Sequence, residues 1–344
     1  MGKTKNKKTP PETKTPTIFD TLQNEIKQSE LSDSEKDNRL SALLKASEQK
    51  VNLMLVGATS SGKSSTINAL FNMDVAKVGV GVDPETKEIE KYELGNLTIW
   101  DTPGLGDGLE EDKRNIRQIV RKLSETDENG ELLIDLVLVV LDAGTKDLSA
   151  SYDVINNTLI PCLGARNTRR ILIALNQSDM AMKGRHWDSD ENAPDDVLKE
   201  FLLKKVESVK SRILNATGVI VEPVCYCAGY TDGDEEQNPY NLSKLLYYIL
   251  MAVPAEKRLI LADNLNDNEE NWVDDDGEMN YHDAIQYSFG ETLWDCFISG
   301  AEKGAVAGGC ALGVPGAIVG GLIGGILGGL NGLIIQPIMN LSNR

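Results

Sequence analysis

The residues best suited to chemistry are Gly57-Ala-Thr-Ser-Ser-Gly62-Lys63-Ser64, which follow the apolar run VNLMLV and lead into a helical pattern. The spacing G-x-x-x-x-G-K-[ST] between a strand and a helix is that of a phosphate cradle. Glycine lets the backbone curl so that successive N–H groups point inward, and the dipole of the following helix adds to their attraction for an anion. Lys63 is expected to reach the β and γ phosphates and the Ser64 hydroxyl to bind Mg2+. Gly57, Ser60, Ser61, Gly62 and Ser65 complete the nucleotide-binding loop.

A cradle of this kind does not distinguish ATP from GTP, so the choice of base must be made further along. At the end of the run from Leu97 to Trp100 stands Asp101-Thr-Pro-Gly104. There a carboxylate is placed to hold Mg2+ through water, and the Gly104 N–H to meet the γ phosphate. At the end of the run from Ile171 to Leu175 stands Asn176-Gln-Ser-Asp179. A carboxylate at Asp179 can accept from the N1–H and exocyclic amine of guanine, whereas adenine would leave it unpaired. These residues therefore point to GTP and GDP as ligands. Thr86, in Asp83-Pro-Glu-Thr-Lys, is the best candidate for a threonine that closes over Mg2+ and the γ phosphate. The catalytic set is then Lys63, Thr86 and Gly104, and the metal set Ser64, Thr86 and Asp101.

Elements of regular structure must bring these segments together. Short aliphatic runs at Val51 to Val56, Leu97 to Trp100, Leu132 to Leu141, Ile171 to Leu175 and Val219 to Val224 alternate with helical patterns. Lys87 to Leu94 alternates in polarity, as an edge strand does. The pattern predicts an α/β fold with a mostly parallel six-stranded sheet and helices on both faces. Residues 1–16, rich in Lys, Thr and Pro, read as a disordered tail. Residues 17–49 read as two amphipathic helices, and 50–252 as the nucleotide-binding domain. Residues 253–303 read as a helical and acidic linker: a helix from Leu242 to about Leu265, an exposed acidic connection DNEENWVDDDGEMNYHD, and a helix over about 284–303. Residues 304–344 read as an α-helical, glycine-rich hydrophobic module.

With GATSSGKSSTINALF followed by DTPGLGD, the chain resembles the Era-like P-loop GTPases. It is also similar to dynamin-related GTPases and to bacterial GTP-binding proteins of the ribosome-binding GTPase-like family. The resemblance covers about residues 50–252. It implies that Asn176 and Asp179 belong to the base-reading motif Asn-Lys-x-Asp, in which Gln177 replaces the lysine here. It further implies that Cys227-Ala228 is the closing pair of the base site, with the Ala228 N–H at guanine O6; a packing role for Cys227 stands as the alternative. Ras-type proteins orient the attacking water with a glutamine one residue after Asp-x-x-Gly, a position held here by Leu105. By resemblance, such hydrophobic-substituted members hydrolyse GTP slowly and take help from a cation, a partner or a second copy. Potassium-activated members carry asparagine where this chain has Ser60.

Composition bounds the rest. The 344 residues carry 35 Lys and Arg against 53 Asp and Glu, a net charge of -18, so a broad electrostatic hold on nucleic acid meets repulsion and no nucleic-acid partner is expected. Five scattered cysteines and two distant histidines suit a reducing cytoplasm and argue against zinc. No charged side chain occurs from Gly304 to Asn343, and glycine recurs at 316, 320, 324, 328 and 332. Such a small-residue row permits close helix approach, and the segment from Gly316 to Ile335 is just long enough to span a bilayer. Three readings stay open for 304–335: contact with or insertion into the inner membrane, a buried helical hairpin, and homo-dimer or oligomer formation. Two functions compete, a regulatory GTPase switch and a guanine-nucleotide-binding scaffold without useful turnover; a ribosome-assembly role rests on family analogy alone.

Overall fold

The computed structural model describes residues 17–71, 73, 88–106, 108–164, 168–232, 235–273 and 276–299. The glycine-rich segment and Thr86 lie outside them. Six strands form the main sheet: β1 (Val51–Gly57), β2 (Glu90–Leu94), β3 (Leu97–Asp101), β4 (Leu136–Asp142), β5 (Ile171–Asn176) and β6 (Val224–Cys225), in the order β2-β3-β1-β4-β5-β6. All neighbours run parallel except β2, which pairs antiparallel with β3 at the edge. β1 is buried along its whole length. Alternate residues feed two cores, Val51, Leu53 and Leu55 on one face and Met54 and Val56 on the other. Covering both faces is what lets the central strands be continuous aliphatic runs.

One face is covered by α1 (Ile18–Gln28), α2 (Asp33–Ser47) and α3 (Lys63–Leu70), and by α7 (Leu242–Ala252), α8 (Arg258–Ala262) and α9 (Tyr281–Ser299). The other face carries α4 (Leu109–Leu123), α5 (Ser149–Val154) and α6 (Asp196–Thr217). α5 continues through a π turn, Ile155–Leu159, into Ile160–Leu163. The first two helices start at reciprocal capping boxes, Thr17 with Asp20 and Ser32 with Glu35. α1 buries Ile18, Phe19, Leu22 and Ile26 in the same core as the sheet. α2 packs against α9, where the Arg39 guanidinium lies 5.3 Å from the Phe297 ring centre.

Four expectations require correction. β4 begins at Leu136 rather than Leu132, because Leu132 and Leu133 pair back on the segment after α4: Leu132 bridges Thr126 and the Leu133 N–H donates to Glu125 O at 2.8 Å. Of the run from Val219 to Val224, only Val224–Cys225 joins the sheet. The helix starting at Leu242 stops at Ala252, since Pro254 forces Val253 into an extended conformation (φ -79°, ψ 145°). The acidic connection is not simply exposed: Asn271 and Trp272 within it are buried at 7% and 5% accessibility. Asn266 and Asn271 donate their amides to Asn68 O and Ala69 O, and Asn266 N–H donates to Leu70 O. They thereby satisfy carbonyls that the end of α3 would otherwise leave open.

Candidate functional site

The site is assembled where β1, β3 and β5 end. From β1 the chain turns through the phosphate loop into α3, with Ser60 at φ +62° and Gly62 at φ +87°. Gly62 is the residue before α3, and its left-handed conformation suits glycine. Space demands glycine as well. A Cβ on Gly57 would lie 2.3 Å from Val140 O, one on Gly62 2.1 Å from Asn176 Nδ2, and one on Gly104 2.0 Å from Thr59 Oγ1. The phosphate loop, β4, the turn after β3 and the end of β5 thus approach one another more closely than side chains permit.

Lys63 folds back over the loop, its Nζ donating to Gly57 O at 3.3 Å and Ala58 O at 3.1 Å. At the end of β3, Asp101 is 1% exposed and its Oδ2 accepts from Ser64 Oγ at 3.1 Å. Asp101 Oδ1 and Ser61 Oγ are buried with no hydrogen-bond partner among the described residues. Burial pushes the Asp101 carboxyl above the usual carboxylate range, while the Lys63 ammonium and the Ser64 hydrogen bond pull it back. A half-satisfied buried carboxylate beside a hydroxyl, with a lysine close by, is a donor set of hard oxygens that suits Mg2+. Ser65 is half-buried on the first turn of α3 and Ser60 is exposed at the rim of the loop.

The loop after β5 joins the residues expected to read the base to the phosphate loop. Asn176 donates Nδ2 to Ser61 O at 3.0 Å, and its Oδ1 accepts from the Ala228 N–H at 3.0 Å. One buried amide therefore ties the phosphate loop to the segment after β6. It is the Ala228 N–H, the group expected at guanine O6, that donates to Asn176 here. Gln177 (φ +59°) donates Nε2 to Ser60 O at 2.9 Å, making a second bridge to the phosphate loop. Cys227 Sγ donates to Asp179 Oδ1 at 3.1 Å; both residues are buried. Burial first, and then the Asp179 charge, hold the Cys227 thiol well above its ordinary range, so it stays a neutral donor to that carboxylate.

Two features, the Tyr226 and Asn115 contacts, have no clear mark in the sequence. Tyr226, fully buried, places its hydroxyl 2.6 Å from Thr66 Oγ1, which itself donates to Gly62 O at 2.7 Å. Asn115 on α4 donates Nδ2 to Gly104 O at 3.0 Å. Its only sequence signal is that it shares a helical face with Ile119 and Leu123. Leu105 is buried, its N–H donating to Gly57 O at 3.2 Å and its carbonyl accepting from the Thr59 N–H at 3.2 Å. The side chain at the water-orienting position therefore points into the core.

Residues 52–177 match the family model described as 50S ribosome-binding GTPase. No curated protein matches the chain. Among solved structures, Toc33 from Arabidopsis thaliana in a dimerization-deficient form is 16% identical, with TM-score 0.45, covering 66% of this chain and 95% of that one. Era from Aquifex aeolicus bound to GDP.AlF4- is 18% identical with TM-score 0.40; the match covers 60% of this chain and 58% of that one. The bacterial dynamin GTPase LeoA from ETEC is 16% identical with TM-score 0.37, the shares being 82% and 46%.

Proposed function

We propose that this chain, whose residues 52–177 form a P-loop GTPase domain of the ribosome-binding GTPase-like family, binds GTP, hydrolyses it slowly and acts as a nucleotide-dependent switch. The observation that carries the reading is the Asn176 amide, which joins the phosphate loop at Ser61 to the base-reading segment at Ala228. A single ligand long enough to contact both, a nucleoside triphosphate, matches that joined site. Lys63 would exchange its two backbone carbonyl acceptors for the β and γ phosphates. Gly104 would offer its N–H to the γ phosphate. Asp179, now held by a thiol, would take the two stronger guanine donors. Ser64, Asp101 and Thr86 are the residues that would hold Mg2+, whose charge offsets that of the β and γ phosphates when bound.

Leu105 supplies no group to orient water, so turnover by the chain alone is expected on the order of 10⁻⁴ to 10⁻³ per second, as for unassisted GTPases. Assistance would come from a cation, a partner or a second copy, with residues 304–335 providing a membrane-touching or self-associating module. A second reading, a guanine-nucleotide-binding scaffold without useful turnover, is favoured by the same buried Leu105. Phosphate release over many turnovers, with GTP and with ATP, at low and high protein concentration and with or without anionic vesicles, separates them. Release specific to GTP that rises with concentration or lipid supports the switch. A flat trace in every condition supports the scaffold.

A further inference from the structure

The peptide that follows Gly104 is held from two sides. Its N–H, on Leu105, donates to Gly57 O in the phosphate loop at 3.2 Å. Its C=O, on Gly104, accepts from Asn115 Nδ2 at 3.0 Å. The Gly104 N–H lies on the preceding peptide, joined to this plane at the Gly104 Cα, so the two contacts together anchor one side of the residue that carries it. Asn115 is 2% exposed, and its Oδ1 is buried with no partner among the described residues. An amide that fills its donor role while leaving its acceptor unsatisfied in the interior is costly, and argues for a role beyond packing. One turn earlier on α4, Asp112 Oδ1 accepts from the Gly106 N–H at 2.8 Å, so the same helix grips the turn at its other end.

We propose that Asn115 is a positioning residue that couples α4 to the Gly104 backbone, so that the helix senses the third phosphate of the nucleotide. The proposal rests on Gly104 being the γ-phosphate contact, as argued above. When the Gly104 N–H engages a γ phosphate, Asn115 holds the adjoining carbonyl and the helix is drawn to the turn. When the γ phosphate leaves, that hold is the link through which α4 relaxes. Asn115 touches neither base nor α phosphate in this arrangement, so its effect must appear in triphosphate binding and not in diphosphate binding.

The test is titration calorimetry of the full chain with Mg2+ and either GDP or a non-hydrolysable GTP analogue, for the wild type, Asn115→Ala and Asn115→Asp. Asp keeps the size of Asn but cannot donate when ionised, and so serves if the alanine variant fails to fold. The expected result is a loss of about tenfold in affinity for the analogue, with GDP affinity held within about twofold, the size of one buried hydrogen bond. A merely structural role would weaken both ligands together. Variants that fold and keep the wild-type ratio of analogue to GDP affinity, or that lose both equally, overturn the proposal. A wild type that binds neither ligand overturns the GTPase reading itself, a different outcome.

Discussion

At the scale of single residues, the site is a set of buried polar groups whose partners are mostly backbone atoms of neighbouring segments. Asp179 is the residue proposed to choose the base. It is 6% exposed and held by one thiol, a weak donor, so guanine can replace that partner at little cost. Asp179→Ala is expected to bring GTP and ATP affinities to within a fewfold of each other while leaving the melting temperature nearly unchanged, as competition binding and thermal denaturation would reveal. Retained preference for GTP would place base recognition elsewhere. Lys63→Ala should instead weaken both triphosphates, by about 2 kcal/mol or more for a lost charge-assisted bond, because the ammonium addresses phosphate and not base. The phosphate loop, Asp101, Gly104, Asn176 and Asp179 were legible because each motif is a local run with fixed spacing. Tyr226 on Thr66 and Asn115 on Gly104 were not, since a single polar residue in an apolar pattern names no partner.

At the scale of elements, the helices are fastened to the sheet by a few buried polar ties. The Asp135 carboxylate accepts from the Lys257 ammonium at 2.7 Å and from the Asn52 N–H at 2.9 Å, linking β4, β1 and the turn before α8. Burial raises the Asp135 pKa, and the Lys257 and Asn52 hydrogen bonds oppose the rise. A carboxyl whose folded pKa is raised contributes stability that is full below its unfolded pKa and lost as pH climbs through the folded value. Lys257→Met removes the opposing cation and widens that gap. Its destabilisation is therefore expected to be small near about pH 4 and to reach about 3 kcal/mol near about pH 7, as urea titrations at the two pH values would measure. A penalty independent of pH would mean that the pair is not electrostatically coupled. The central strands β1, β3 and β5 followed from hydrophobic patterning. The acidic connection did not, because the Asn and Trp that anchor it to α3 are outnumbered by solvated carboxylates in the same segment.

At the scale of the whole molecule, the cap on α3 sets the phosphate loop at one end of a helix and the segment leading to α9 at the other. Residues 304–344 follow α9 in sequence. No helix among the described residues is long and apolar enough to cross a membrane, and the glycine-rich run lies outside them. Its role is therefore tested by comparing the full chain with a form ending at Lys303. Contact of 304–335 with lipid predicts that only the full chain sediments with anionic vesicles. Equal sedimentation of the two forms removes the membrane from the account and leaves self-association, which light scattering of the same pair would report.

The central claim is that one pocket grips a triphosphate at Lys63 and reads its base at Asp179. Titration calorimetry of the purified full chain with GTP and with ATP, magnesium present in both, tests it most directly. Saturable one-to-one binding of GTP at least about a hundredfold tighter than ATP, a difference of about 2.7 kcal/mol, is the expected result. Equal affinity for the two purine triphosphates, or heat from neither, would contradict it.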